Sequence, residues 1–120
     1  MIAVLFARDD SRYKDFNVYD VYDINRDART FCKKMPVIAH PPCRAWGMLS
    51  HMANPREGEK QLAYLALAQV RLNGGILEHP SGSRLWKEDN IYHNYLSLLI
   101  LINISSIEAF VKLLVIFFHA

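Results

Sequence analysis

Two side chains that can do covalent or proton chemistry each stand at the end of a short apolar run. Cys43 follows one such run and two prolines, and Glu78 closes a second run. A thiolate is a nucleophile and a carboxylate exchanges protons, so the two could act on one substrate, and Arg44 would favour the thiolate. Two plainer interpretations stay open, in which Cys43 is a small packed side chain and Glu78 forms an ion pair with Arg44 or Arg84.

Histidines and tryptophans surround both positions. His40, His79 and Cys43 could in principle hold a metal, but the sequence offers no clear fourth ligand and no Cys-x-x-Cys spacing. We therefore predict no metal site and place His79 in a wall of the site. Trp46 and Trp86 could stack on a base, or they could pack in the core, which is the commoner place for a tryptophan.

The pattern of the chain predicts an α/β fold that brings these residues together. Short apolar or β-branched runs predict strands at residues 1–6, 18–24, 36–39 and 75–78. A helix is predicted from Pro55 to the Asn-Gly-Gly of residues 73–75, with a stripe at Leu62, Leu65, Ala66, Gln69 and Leu72. Alternating strands and helices favour a parallel sheet, whose strands end at one edge. We expect Cys43 and Glu78 to meet at that edge, where such sheets bind ligands.

Composition limits the size and the partners of the protein. A chain of 120 residues supports one core, and 14 basic against 12 acidic side chains give a net charge of +2. No strong overall field draws the protein to nucleic acid or membranes, so DNA would have to meet a local patch. The first residues lack the features of a signal peptide, which predicts a cytoplasmic protein with Cys32 and Cys43 as free thiols.

The end of the chain belongs to a different compositional class. Residues 91–120 contain no Gly or Pro and carry only Glu108 and Lys112 as formal charges. We predict an α/β domain at residues 1–90 and an apolar, helical tail at residues 91–120. Four settings for the tail stay open: a packed or self-associating helix, a helix on a membrane surface, a membrane-spanning helix, and a frame-shifted end.

Two motifs resemble the catalytic half of the cytosine-5 DNA methyltransferases. Residues 39–44 read Ala-His-Pro-Pro-Cys-Arg and residues 77–80 read Leu-Glu-His-Pro. They follow the order and similar separation of that family's Pro-Cys loop and Glu-Asn-Val motif. The chain is also similar to small phage-encoded proteins that contain His-Pro-Pro-Cys-Arg-x-Trp-Gly and Leu-Glu-His-Pro-x-x-Ser-x-Leu-Trp, which would place it in the cytoplasm of a host cell.

The resemblance implies a partial Rossmann-like fold and a specific chemistry. Cys43 would attack carbon 6 of a flipped-out cytosine, Glu78 would engage ring nitrogen 3, and carbon 5 would take a methyl group from S-adenosylmethionine. The cofactor would meet Phe6 after the first strand and Asp23, the acid near the end of the second. The residues expected to contact the substrate are Pro42, Arg44, Trp46, His79 and Arg84.

The sequence also departs from that family. Residues 6–11, Phe-Ala-Arg-Asp-Asp-Ser, lack the glycines of the family's Phe-x-Gly-x-Gly turn, which admit the cofactor closely. No segment is long enough for a target-recognition domain. Two functions therefore stay open. One is a phage-type enzyme core, whole or truncated, that acts on a cytosine base in DNA or a nucleotide; the other is a non-catalytic module of this fold that binds nucleic acid or a host protein.

Overall fold

The first four strands lie where the short apolar runs predicted them. The computed structural model describes residues 1–80, 82–90, 99–103 and 112–118. The α-helix α1 (Gln61–Asn73) lies between the third and fourth strands, and 3-10 helices form at Arg12–Asp15, Ala28–Thr30 and Arg84–Asn90. The strands are β1 (Ile2–Leu5), β2 (Tyr19–Val21), β3 (Val37–Ala39), β4 (Gly75–Pro80), β5 (Leu99–Asn103) and β6 (Lys112–Phe118).

Strands β1 to β4 form a parallel sheet in the order β2-β1-β3-β4. Leu5 lies opposite Ala39, and Ala39 lies opposite Leu77 in the next strand. All three side chains are fully buried on the face that α1 covers. The predicted α/β class with a parallel sheet is therefore confirmed.

Helix α1 packs on the sheet through small side chains. Its buried residues are Ala63, Ala66, Leu67 and Val70. They follow the i, i+3, i+4, i+7 spacing of a single helix face. The predicted stripe is rotated away from this face, since it contains Ala66 alone of these four and includes Leu72, which is 76% exposed. Alanines let the helix axis approach the sheet closely, which larger leucines would prevent.

Glycines set both ends of α1. The helix was predicted to begin after Pro55, but residues 55–60 lie outside it because Gly58, at φ 76°, leaves the right-handed helical region. The helix ends at Asn73, and Gly74 follows it with φ 73°, as the Asn-Gly-Gly sequence predicted. Gly75 then begins β4 directly against the backbone of β3.

Both tryptophans belong to the core. Trp46 and Trp86 are each 1% exposed. The indole N–H of Trp46 donates to the Lys60 carbonyl at 3.1 Å, and that of Trp86 donates to the Pro80 carbonyl at 2.7 Å. Their polar atoms are thus satisfied inside the protein, as buried tryptophans require. The core-packing alternative is the one adopted, and the ring of Trp46 is not open to a base as the resemblance implied.

Part of the tail forms strands instead of the predicted helix. β6 pairs antiparallel with β4, and β5 pairs antiparallel with β6. These segments are rich in Leu, Ile, Val and Phe, which suit strands, and β6 satisfies the backbone groups on the free edge of β4. The predicted continuous helix does not hold for them; residues 91–98, 104–111 and 119–120 lie outside the described residues. Within the described segments, no helix has the length and apolarity needed to cross a bilayer.

Candidate functional site

The carboxyl ends of the four parallel strands meet at one edge of the sheet. β2 lies on one side of β1 and β3 on the other, so the chain reverses its direction of travel across the sheet between β1 and β3. A reversal of this kind leaves a crevice beyond the strand ends, which is where open α/β sheets bind ligands.

A cavity of about 410 Å³ lies at this crevice, and we call it the switch-point cavity. Phe6 after β1, Asp23 after β2 and Pro42 after β3 all line it. The two residues expected to bind the cofactor therefore share one cavity with the loop expected to hold the substrate. Its volume lies within the range of small-molecule sites, about 300 to 1,000 Å³.

Phe6 turns the chain sharply at the wall of the switch-point cavity. Its φ of 62° lies in the left-handed region, which costs a residue with a side chain about 1 to 2 kcal/mol. The turn is held because the amide of Ala7 donates to the carbonyl of Tyr22 at 2.9 Å. The positive φ of Phe6 thus produces a tight turn directly after β1.

The carboxylate of Asp23 is almost fully bonded. One oxygen accepts the backbone N–H groups of Asn25 at 2.9 Å and Arg26 at 3.1 Å, and the other binds the ammonium of Lys14. The Lys14 bond, followed by the backbone N–H of Asn25, lowers the pKa of Asp23 below its ordinary value. A carboxylate has about four acceptor positions, so roughly one remains for a ligand while Lys14 stays in place.

Acidic groups outnumber basic ones around the switch-point cavity. The charged side chains in its lining are Asp23, Asp27, Glu57, Glu59, Arg29 and Arg56. Three of the four carboxylates already hold cationic side chains, since Asp23 binds Lys14, Asp27 binds Arg29 and Glu59 binds Arg44. With these partners counted, the charges of the described residues at the cavity nearly balance, so the lining offers little net attraction to a phosphate group.

Cys43 lines a second concavity of about 400 Å³, which we call the Cys43 groove. Met48, Leu49 and Pro80 give this groove a mainly apolar wall. Cys43 is exposed and its thiol is free. Pro42 lines the switch-point cavity and Cys43 lines the groove, so two consecutive residues separate the two concavities.

Both arginines expected to meet the substrate are engaged within the protein. Arg44 donates from Nε and Nη2 to the two carboxylate oxygens of Glu59, each at 2.6 Å. This bidentate pair lowers the pKa of the buried Glu59. Arg84 donates to the hydroxyl of Ser50 at 2.6 Å and to the carbonyl of Ala45 at 3.3 Å. The Arg44 charge therefore neutralises Glu59 and does not stand free beside Cys43.

His40 contacts the carboxylate of Glu78. From the sequence, His40 was considered only as a metal ligand. His40 Nδ1 lies 2.8 Å from Glu78 Oε2. Ala39 is paired with Leu77 on the neighbouring strand. The residues that follow them, His40 and Glu78, therefore lie across from each other. The ion-pair interpretation named Arg44 or Arg84 as the partner, and the structure gives His40 instead.

Tyr13 belongs to the same cluster, and no sequence signal pointed to it. It lies in the 3-10 helix Arg12–Asp15, which Ser11 caps by accepting the Tyr13 amide. The Tyr13 ring lies 5.9 Å from the His40 ring, centroid to centroid. Burial, and then the charge of Glu78, raise the pKa of the Tyr13 phenol. His40, Glu78 and Tyr13 therefore form one cluster at the strand ends, which we call the Glu78 cluster.

His79 is a core residue and not a wall of the substrate site. It is 1% exposed and packs edge-to-face on Trp86, with ring centroids 6.0 Å apart. Among the described residues, neither ring nitrogen has a hydrogen-bond partner of ordinary geometry, although the Pro42 backbone carbonyl lies near enough to favour the protonated ring. Burial lowers the pKa of His79 to about 4, and the Pro42 carbonyl partly offsets this.

Among residues 1–80 and 82–90, no three His, Cys, Asp or Glu side chains are grouped closely enough to hold a metal ion. Comparison of the chain with protein-family models, with curated proteins and with solved structures finds no match.

Proposed function

We propose that the chain is a methyltransferase-like enzyme core that binds S-adenosylmethionine in the switch-point cavity and acts on a cytosine base in DNA or a nucleotide. The observation that carries this proposal is the placement of two concavities, about 410 and 400 Å³, on adjoining residues, Pro42 and Cys43. A group-transfer enzyme must hold a donor and an acceptor side by side, and the nucleophile must face the acceptor.

The cavity fits the proposed cofactor in its position at the strand ends. S-adenosylmethionine carries a sulfonium and an ammonium group, which Glu57, the lining carboxylate outside the three ion pairs, would stabilise. Its ribose hydroxyls can donate to Asp23, once directly and a second time if Lys14 leaves. Phe6 would lie against the ligand where the chain turns. When bound, the cofactor supplies the methyl group.

The chain's own residues would then act on the base. Cys43, as thiolate, would form a bond to carbon 6, and the displaced electron pair would move through the ring to nitrogen 3. Nitrogen 3 would take a proton from Glu78, which must therefore meet the base as the protonated carboxyl group. Once carbon 5 carried the methyl group that the cofactor would supply, carbon 5 would lose its hydrogen as a proton to solvent and nitrogen 3 would return its proton to Glu78. Expulsion of the Cys43 thiolate would then restore the ring.

The position of Glu78 is compatible with this chemistry. Glu78 is not among the described residues that line the Cys43 groove. Carbon 6 and nitrogen 3 lie on opposite sides of a pyrimidine ring, so the nucleophile and the proton partner need not share one wall. A base that meets both would lie across the ends of β3 and β4, which neighbouring strands place about 5 Å apart.

The test is mass spectrometry of the protein after incubation with a DNA duplex containing 5-fluorocytosine and S-adenosylmethionine. Fluorine cannot leave carbon 5 as a proton would, so a cysteine adduct is trapped after methyl transfer. We expect an adduct on Cys43 in the wild type and in Cys32→Ser, a matched variant of the other exposed free thiol, and none in Cys43→Ser. Folded wild-type protein that forms no adduct would remove the methyltransferase proposal.

A non-catalytic binding module is the second candidate, and one observation favours it. Met48 and Leu49, which line the groove, are 85% and 66% exposed, and Met52, on the same connection, is 73% exposed. Exposed apolar side chains that lie together are typical of protein-binding surfaces. If the wild type forms no adduct, the binding of nucleic acid or a host protein is compared between Met48→Ser and Cys43→Ser. Weaker binding by Met48→Ser alone would indicate a docking surface, whereas an effect of Cys43→Ser alone would indicate a role for the thiol.

A further inference from the structure

We propose that His40 is a positioning residue that fixes the carboxylate of Glu78 in the orientation needed for proton transfer. This inference rests on the proposed function, because it assigns Glu78 a role in chemistry. Its direct support is the 2.8 Å contact between His40 Nδ1 and Glu78 Oε2. Both side chains are about one-quarter exposed, so the pair is neither sealed in the core nor loose in solvent.

The backbone holds His40 in place for this contact. The amide of His40 donates to the carbonyl of Leu5 at 3.1 Å, which continues the pairing of β3 with β1 one residue past its end. On the other side, the pairing of β3 with β4 sets His40 across from Glu78. The imidazole is therefore carried by the centre of the sheet and not by a free loop.

The contact also specifies where the imidazole proton sits. A carboxylate only accepts, and an unprotonated nitrogen 2.8 Å away would repel it, so we infer that Nδ1 carries a hydrogen. His40 Nε2 is buried and has no hydrogen-bond partner among the described residues. The geometry thus assigns the neutral ring the Nδ1–H tautomer, with an unprotonated nitrogen at the buried end.

Tyr13 keeps the imidazole from swinging away from Glu78. Its ring lies tilted by 37° against the His40 ring, at 5.9 Å between centroids. Tyr13 is itself supported by an edge contact with Tyr19 on β2, at 4.9 Å. Burial and the Glu78 charge keep the phenol protonated, so no second negative charge forms beside the carboxylate.

A fixed carboxylate matters because a glutamate side chain has three rotatable bonds. Proton transfer to a ring nitrogen requires hydrogen-bond reach and alignment, and a displacement of 1 Å can cost about a hundredfold in rate. His40 removes this freedom before a substrate arrives. Its loss should therefore slow the chemical step and leave substrate binding nearly unchanged.

The test compares three substitutions at one position. The side-chain amide nitrogen of Asn reaches the place of Nδ1, whereas that of Gln reaches the place of Nε2. We expect His40→Asn to form the 5-fluorocytosine adduct within about threefold of the wild-type rate. We expect His40→Gln and His40→Leu to be slower by roughly ten- to a hundredfold, the range for a lost hydrogen bond to a charged group. Equal rates for all three variants, fast or slow, would overturn the proposal.

A second measurement judges the contact without any activity. Nitrogen-15 NMR of labelled protein should show His40 as the Nδ1–H tautomer in the wild type, and this signature should be lost in Glu78→Leu. An Nε2–H tautomer in the folded wild type would refute the assignment. A wild type that shows the Nδ1–H tautomer but forms no adduct would instead count against the methyltransferase proposal, so the two failures are distinguishable.

Discussion

The backbones of β3 and β4 approach closely where β4 begins, which makes Gly75 a sharp test of the sheet. A Cβ on this residue would lie 1.9 Å from the carbonyl oxygen of Val37 and 2.7 Å from the Val37 nitrogen. Its φ of 136° is a backbone conformation that residues with side chains rarely adopt. Gly75→Ala must therefore push β4 away from β3 or change the backbone at residue 75.

The cost of Gly75→Ala can be worked from these two effects. Backbone strain costs about 1 to 3 kcal/mol, and overpacking against a rigid strand adds about 1 to 3 kcal/mol. The sum, roughly 2 to 6 kcal/mol, is a large share of the 5 to 15 kcal/mol that typically holds a domain folded. For a domain of this size the melting temperature should fall by roughly 10 to 25 °C.

The assay is thermal and urea unfolding followed by circular dichroism, with Gly82→Ala as the matched control. A Cβ at Gly82 meets nothing within 4 Å, so this control should stay within about 0.5 kcal/mol of the wild type. If Gly75→Ala and Gly82→Ala unfold at the same temperature and urea concentration, β3 and β4 do not make this contact in solution. The placement of His40 beside Glu78 depends on the same strand pairing and would then have to be abandoned as well.

Two further predictions concern acid stability and cofactor binding. The folded pKa of His79, about 4, lies below its ordinary 6.5, so its contribution to stability is complete above pH 6.5 and is lost as the pH falls towards 4. Across this pH window, the free energy of unfolding of the wild type should fall by about 3 kcal/mol relative to that of His79→Phe, as measured by urea unfolding. Parallel pH profiles of the two proteins would contradict this. Lys14→Met should strengthen S-adenosylmethionine binding severalfold, because it frees an oxygen of Asp23. Asp23→Asn should weaken this binding. If calorimetry shows that Lys14→Met binds S-adenosylmethionine more weakly than the wild type does, this role of Asp23 is excluded.

The parallel sheet was predictable because its strands are short apolar or β-branched runs, two of which, β3 and β4, are bounded by proline or glycine. The same local signals could not predict the buried face of α1. Ala63 is buried there because the helix lies close to the sheet, and an alanine is too weakly hydrophobic to indicate a buried face from the sequence. They also favoured a helix for the tail, where segments 99–103 and 112–118 form strands. Pairing with the free edge of β4 is a tertiary effect that periodicity does not contain.

The site was predictable only in its location. Cys43 and Glu78 do lie at the carboxyl edge of neighbouring strands, as their sequence positions indicated. The partner of Glu78 could have been found by one further step, since two parallel strands in register place His40 across from it. Tyr13 could not, because a residue in a 3-10 helix after β1 reaches the cluster only through the folding of that connection.

The internal ion pairs of the site restrict the charge of its ligand. The side chain of Asp23 is 8% exposed, while its partner Lys14 is 39% exposed. Removing an exposed lysine costs little, but a carboxylate held among protein groups is destabilised when it loses its positive partner. A cationic ligand can replace Lys14 and leave Asp23 paired, whereas an anionic ligand would bring a second negative charge beside it. This exchange favours a ligand with a fixed positive charge, such as a sulfonium, over any nucleotide that carries phosphate into the switch-point cavity.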